Sequence, residues 1–508
     1  MQDMHKARIM GFSASLRNAR DREGAKAMLD ELRGLADEAA LFGYLASQGN
    51  LHLDNYYQAG RAQNLPYDQI YRQLRQLAGR KGLSNSEVCL AAAMWGALQE
   101  GAQVDCFPLA DYFRADGARK NLDELREALL QAEGVIISTP VYFGDRSSLS
   151  QDFIETIRRD PELRAHLQGK VYGGCSVGAK RNGGQETTLI YQMHDMMDLG
   201  LLGVGNDFST TSQYGGTGHA GDVGLMPKDE YGLKTSLGVG RRVARVASFL
   251  RAASKRRLEG RLRVGIWLLQ DKDDTLRRLL EPAVAALADR AEVDLVPMHE
   301  MDIKPCMACD NCPARIGPDE DYRCVRGKSD EMHELHNRLL TADVIVAAMY
   351  SPLDHTGLSS AYQHFLERTR YLRRGDYAFT DRLLVPLVAA EVGTNENLNL
   401  RMTTSLIRHH TILHRPIMAW LHQGAMLSPA DLTAELGKAL DSGRELVAGR
   451  LDMLSNGSPL ALYKPVGYVL SLTRDNLPET MDARHQAISQ RLDKLRAESR
   501  TRLSPRKD

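Results

Sequence analysis

The chain has no excess of charge of either sign: Lys plus Arg and Asp plus Glu number 65 each among 508 residues. That balance leaves no basic footprint for nucleic acid and no cationic face for an anionic membrane. No stretch approaches the roughly 18 apolar residues of a membrane-spanning helix. The first residues, Met1-Gln2-Asp3-Met4-His5, run straight into a short apolar segment without a signal-peptide core. The expectation is a cytoplasmic protein with neither nucleic acid nor membrane as partner. Cysteine is sparse as well: seven occur, and four of them crowd between Cys306 and Cys324. An odd number so distributed suits ligand or redox chemistry in a reducing compartment better than a disulfide framework.

What is present is a repeated α/β pattern on a chain too long for one ordinary core. Ala7-Arg8-Ile9-Met10-Gly11-Phe12 and Leu262-Arg263-Val264-Gly265-Ile266-Trp267 read as buried first strands, each opening a strand and helix alternation. Apolar runs at 102–107, 134–138 and 170–174 follow the first, and runs at 292–296, 343–348 and 383–388 follow the second. Both halves therefore read as doubly wound parallel sheets. The organisation expected is a first domain over 1–250, a linker over 251–261 at the basic end of a helix, a second domain over 262–448, and a C-terminal arm over 449–508. In that arm Pro459, Pro465 and Pro478 precede a charged helix striped with Met481, Ile488, Leu492 and Leu495, a packing arm or a homo-oligomer contact.

The first strand ends in Gly11-Phe12-Ser13-Ala14-Ser15-Leu16-Arg17-Asn18. Hydroxyls, backbone N–H groups and a guanidinium at the C-terminal end of a parallel strand suit a phosphate. A helical insertion over about 19–82, carrying Tyr44, Tyr56, Tyr57, Tyr67 and Tyr71, separates this turn from its helix. It reads either as a lid over a pocket or as a subdomain with its own core. Ser84 and Asn85 then cap the delayed helix.

The third strand ends in Thr139-Pro140-Val141-Tyr142-Phe143-Gly144, and the fourth is followed by Gly178-Ala179-Lys180-Arg181-Asn182-Gly183-Gly184-Gln185-Glu186-Thr187. These two loops resemble the Ser-Pro-Val-Tyr-Phe-Gly and Gly-Gly-Gln-Glu-Thr-Thr loops of the NADPH-dependent FMN reductase and iron-sulfur flavoprotein families. The resemblance implies flavodoxin-like domains with strand order 2-1-3-4-5, FMN in the first of them, and NAD(P)H as electron donor. It further implies that Ser13, Ser15, Arg17, Asn18, Ser84 and Asn85 hold the phosphate. Pro140, Val141, Tyr142, Phe143 and Gly144 would line the flavin ring, with Gly178, Gly183, Gly184, Gln185, Glu186 and Thr187 opposite. No residue stands out as an obligate acid or base, as expected when the cofactor carries the chemistry.

The second half keeps the architecture without the flavin signature. Its first turn, Gln270-Asp271-Lys272-Asp273-Asp274, puts carboxylates where a phosphate would sit, and like charges oppose binding there. It carries instead Cys306, Cys309 and Cys312 in a C-x-x-C-x-x-C run with Cys324 downstream, resembling the cysteine motif that holds a [4Fe-4S] cluster in iron-sulfur flavoproteins. The gap to Cys324 is longer than in that family, and zinc or metal-free thiols stay open as alternatives. His410 and His414 have no carboxylate at a telling spacing and read as packing. The function expected is an NAD(P)H-dependent oxidoreductase passing electrons from FMN to a quinone-like or nitroaromatic acceptor or through the cluster. The competing reading is a non-catalytic electron-transfer or redox-sensing module.

Overall fold

The structure is a computed structural model, described for residues 6–77, 81–210, 213–309, 312, 324–354, 357–394, 396–456 and 478–506. Two compact units divide the chain, Met1–Ser248 and Phe249–Asp508.

In the first unit the strands are β1 (Arg8–Ser13), β2 (Gln103–Pro108), β3 (Gly134–Pro140), β4 (Val171–Gly178) and β5 (Leu202–Gly203), hydrogen-bonded in the order β2-β1-β3-β4-β5 and all parallel. A short β6 (Gly216–His219) extends β4, also in parallel. This is the flavodoxin-type order. β3 and β4 are buried almost end to end, because helices cover both faces of the sheet and leave no polar alternation.

Helices α1 (Arg22–Arg33), α2 (Glu38–Gln58) and α3 (Tyr67–Gln76) occupy the stretch between β1 and α4 (Asn85–Gln99). After these come α5 (Leu122–Gln131), α6 (Ser148–Arg159), α7 (Pro161–Leu167), α8 (Gln185–Asp198) and α9 (Glu230–Ala253). α4 is buried nearly all round because it packs under the sheet with α9 crossing it closely. A Cβ on Gly96 would strike the Leu237 carbonyl, and one on Gly240 the Ala93 carbonyl. Tyr56, Ala59, Ile70 and Val223 form a small core under the insertion, with Leu53, Leu65, Leu74 and Leu77 packed on it. The insertion is therefore a subdomain with its own apolar support.

The second unit holds β7 (Arg256–Leu258), β8 (Leu262–Gln270), α10 (Thr275–Ala286), β9 (Ala291–Val296), α11 (Met332–Thr341), β10 (Val344–Ser351), α12 (Ser360–Arg368), α13 (Arg370–Asp376), β11 (Leu383–Glu391), α14 (Leu398–Leu406) and β12 (Ile412–Leu413). Its parallel strands run β9-β8-β10-β11-β12, with β13 (Ile417–His422) also parallel to β11 and hairpinned to β14 (Ala425–Met426). The long α15 (Pro429–Ser455), α16 (Pro478–Arg502) and β15 (Leu503–Pro505) complete it.

Two expected boundaries differ from the structure. Residues 251–261 contain the end of α9 and then β7, which pairs antiparallel with β15, so regular structure stands where a linker was expected. The expected edge at 448 falls inside α15, whose apolar residues are buried through Leu454. The terminal residues are tied in by charge: Asp343, fully buried, accepts from Arg263 and Arg502 at the same carboxylate. Pro459 and Pro465 lie outside the described residues. Among the described residues no helix is long and apolar enough to cross a membrane.

Candidate functional site

The loop after β1 is built around two buried hydroxyls, Ser13 and Ser15. Ser15 accepts the Arg17 N–H at its Oγ (3.1 Å) and the Asn18 N–H at its carbonyl (3.1 Å). Asn18 Nδ2 returns to the Ser13 carbonyl (3.0 Å) and to Ser13 Oγ (2.7 Å). The result is a closed polar turn in which the buried Asn18 Oδ1 has no partner among the described residues. The Arg17 side chain is exposed, and its guanidinium lies over the Tyr67 ring, 4.9 Å from the centroid, towards the insertion.

Glu87 joins this turn to the start of α4, across the insertion. Its carboxylate accepts the N–H groups of Ala19 (2.8 Å), Arg20 (3.1 Å) and Ser84 (2.8 Å). Burial pushes the Glu87 carboxyl up, against the lowering pull of the Ser84 side chain and these N–H groups. Ser84 is thus placed beside the turn as the N-cap of α4, whose first-turn amides have no intrahelical acceptor. Asn85 reaches the same corner, but its amide is engaged: Nδ2 donates to the Asp222 carbonyl (2.9 Å) and Oδ1 accepts the Met226 N–H (3.2 Å).

The turn is also tied to the end of β3. Ala14 N–H donates to the Ser138 carbonyl (2.8 Å), Ser138 Oγ to the Ser86 carbonyl (2.8 Å), and Ser147 Oγ to the Ala14 carbonyl (2.6 Å). Beyond Pro140 and Val141 the chain makes a two-residue hairpin turn, closed by Tyr142 N–H to Asp145 O (2.8 Å) and Asp145 N–H to Tyr142 O (2.9 Å). Its central residues, Phe143 and Gly144, have φ of 51° and 80°. Positive φ at both positions is the geometry of a type I′ turn, and at Phe143 it costs backbone strain. The turn leaves the Phe143 side chain fully exposed and Tyr142 more than half exposed.

The loop after β4 meets this turn backbone to backbone. A Cβ on Gly184, whose φ is 100°, would stand 2.8 Å from Gly144 Cα and 3.2 Å from Val141 Cγ1. Gln185, buried, shapes the loop from within: Oε1 accepts the Gly183 N–H (2.7 Å), and Nε2 donates to the carbonyls of Lys180 (2.7 Å) and Gly218 (3.0 Å). Gly178 lies against the Gln185 amide, and Glu186 and Thr187 open to solvent. Ala220 N–H to Gly178 O (3.0 Å) and Gly221 N–H to Ala179 O (3.0 Å) bring the Gly-rich segment after β6 onto the same loop.

The structure therefore gathers the three sequence-predicted loops at one end of one sheet. It adds contacts that the sequence reading did not assign: those of Glu87, Ser138, Ser147 and residues 222–226. Glu87 had a readable signal, because Ser84-Asn85-Ser86-Glu87 has the spacing of a capping box. The others act only through contacts distant in sequence. Small hydroxyl residues and first-turn amides at this corner suit an anionic group, and the rigid exposed aromatic turn beside them suits a flat ring.

In the second unit the corresponding corner is filled from within. Asp271 accepts the N–H groups of Leu276 (2.8 Å) and Arg277 (3.2 Å), so its own carboxylate takes the anion position at the start of α10. The cysteine segment is anchored at its beginning by a buried pair: Arg368 binds Asp330 and the Lys304 carbonyl (2.9 Å), and Lys304 N–H donates to Asp330 (3.2 Å). Ala308 N–H points at Cys306 Sγ (3.4 Å). Cys306, Cys309, Cys312 and Cys324 are partly exposed and none is in a disulfide among the described residues, where no three metal-ligating side chains converge. The anchor holds the segment's start, and all of the gap between Cys312 and Cys324 lies outside the described residues.

Comparison with known proteins bears on the same region. Residues 78–213 match the family described as NADPH-dependent FMN reductase. An iron-sulfur flavoprotein of Methanocaldococcus jannaschii is 36% identical over 131 residues, covering 26% of this chain and 67% of that protein. One from Methanosarcina thermophila is 30% identical over 151 residues, covering 27% of this chain and 76% of that protein. A quinone-type NAD(P)H dehydrogenase of Caulobacter vibrioides is 30% identical over 180 residues, covering 32% of this chain and 90% of that protein. The matched segment begins where the helical insertion ends.

Proposed function

The chain belongs to the NADPH-dependent FMN reductase family, a family of NAD(P)H-dependent flavin oxidoreductases, and from this we propose that its first unit binds FMN and passes electrons from NAD(P)H to a small quinone-like or nitroaromatic acceptor. One observation carries the reading: the turn after β1, the start of α4 and the loops after β3 and β4 are locked together by Ala14–Ser138, Ser138–Ser86 and the Gly184–Gly144 approach. When bound, the flavin would accept hydride and release electrons to the acceptor.

The protein's part is to place and shield that group. Ser13, Ser15, Ser84 and the first-turn amides of α4 supply donors for a phosphate, and the α4 macrodipole favours its charge. Tyr142, Phe143 and Gly144 form a stiff wall because both central φ values are positive and both hairpin hydrogen bonds are made. Gly184 and Gln185 hold the opposite loop without placing a side chain in the gap. We read the whole chain as a tandem of two flavodoxin-like domains with FMN in the first only. The parallel order β9-β8-β10-β11-β12 supports the duplication, and the Asp271 carboxylate opposes a second phosphate.

Anaerobic purification followed by a visible spectrum and FMN quantitation tests this. One FMN per chain, bleached by NADPH or NADH and reoxidised by a quinone or a nitroaromatic, is the expected result. Protein that neither retains nor takes up FMN would overturn it.

A further inference from the structure

Beside the outer side of the turn after β1, the insertion encloses a cavity of about 370 Å³. That volume lies within the range of small-molecule sites. Arg17 and Asn18 reach it, whereas Ser13, Ser15, Ser84 and Asn85 do not line it, so it is distinct from the phosphate corner.

Its walls combine flat aromatic surface with cationic groups. Tyr67 and Tyr71 stand with ring centroids 6.1 Å apart, and Arg17 lies over Tyr67. Lys81 and Arg114 line the same space, and neither enters an ion pair among the described residues. Arg20, also in the wall, is engaged by Gln48 and Glu31. The acids present are already in use: Asp21 caps α1 through the Gly24 N–H, and Asp111 accepts the Arg22 N–H. His52, buried at the back, is pulled down to about 4 by burial and secondarily by Arg17, so at neutral pH it adds a hydrogen-bonding ring without charge. Available positive charge beside aromatic faces selects a ligand with an anionic group on a planar ring, because the ring stacks while the anion makes charge-assisted hydrogen bonds.

We propose that this cavity is a ligand subsite for a planar aromatic group carrying a phosphate or carboxylate, recognised by Tyr67 and Tyr71 together with Arg17, Lys81 and Arg114. Two sources share that chemistry, the adenosine-phosphate end of the nicotinamide donor and an anionic aromatic acceptor. A role in turnover rests on the flavin reading above; binding in the cavity does not.

Calorimetric titration of the purified full chain tests the proposal, with 2′,5′-ADP and 4-nitrobenzoate as probes and inorganic phosphate as the ring-less control. FMN content is measured on the same sample, so loss of the flavin reading is seen separately from loss of the subsite. Saturable one-to-one binding of either aromatic probe is expected, with 2′,5′-ADP marking the donor's end and 4-nitrobenzoate the acceptor. Arg114→Ala and Lys81→Gln, checked for folding by circular dichroism, should each weaken it about tenfold, the scale of one charge-assisted contact. No binding of either probe, binding unchanged in both variants, or equal binding of inorganic phosphate would overturn the assignment.

Discussion

The Arg17 guanidinium lies 4.9 Å from the centroid of the Tyr67 ring, so the turn after β1 and the first turn of α3, fifty residues further along the chain, share one cation–π contact. Tyr67 is displaced upward in pKa, by burial first and against the lowering pull of Arg17, and stays a neutral phenol through the working range. Tyr67→Leu should cost about 0.5–1 kcal/mol, the size of such a contact at a partly exposed site. Urea denaturation measures the cost.

Gly184→Ala and Gly144→Ala separate close approach from backbone strain. Both glycines have positive φ, but a Cβ at 184 would press on Gly144 Cα while one at 144 meets nothing within 4 Å. The alanine at 144 should cost about 1 kcal/mol for the left-handed conformation alone. The alanine at 184 should cost more and weaken FMN retention at least tenfold, because the two ring-side loops must part. Flavin fluorescence on titration with FMN checks the difference; equal effects from both substitutions would contradict the backbone contact.

His52 sets an acid-side pH dependence. Its folded value of about 4 lies below its ordinary 6.5, so the unfolded chain binds the extra proton between those limits. Stability is present above about 6.5 and lost as pH falls towards 4, by up to about 3 kcal/mol from this group. His409, held near 3 by burial and then by neighbouring positive charge, acts in the same direction in the second unit. His52→Gln should flatten part of the slope, read as denaturation midpoints across pH 4–7.

Asp343 acts lower on the scale. Burial raises its carboxyl, but hydrogen bonds and charge from Arg502 and Arg263 outweigh burial and hold it well below the carboxylate range. Its contribution is present above the unfolded carboxylate pKa and disappears as pH falls through the folded one. Arg502→Ala leaves a buried carboxylate with one fewer partner and should cost about 3 kcal/mol at pH 7, with the deficit shrinking below about pH 4. Thermal melts of wild type and variant at both pH values check this.

How much could be read in advance is visible at particular residues. The buried strands were legible because continuous apolar runs leave a parallel sheet few alternatives, and β8 and β10 lie where the runs at 262 and 343 put them. The start of α4 was legible from Ser84, a local cap. The edge expected at 250 lies two residues from the division after Ser248, whereas β7 among the residues expected as linker and the contact of Arg17 with Tyr67 were illegible. The four cysteines were expected together from the resemblance, and the segment between Cys312 and Cys324 lies outside the described residues.

The sequence by itself determined the four long parallel strands of each half and that the second first-turn is acidic, since these depend on local composition and hydrophobic period. Tertiary structure decided what those residues touch. Glu87 bridges the insertion, Gly184 meets Gly144, Asn85 is drawn to residues 222–226, and Asp343 gathers arginines from positions 263 and 502. Each is a contact between residues distant along the chain, set by how helices and loops close over the sheet, and no local periodicity encodes it.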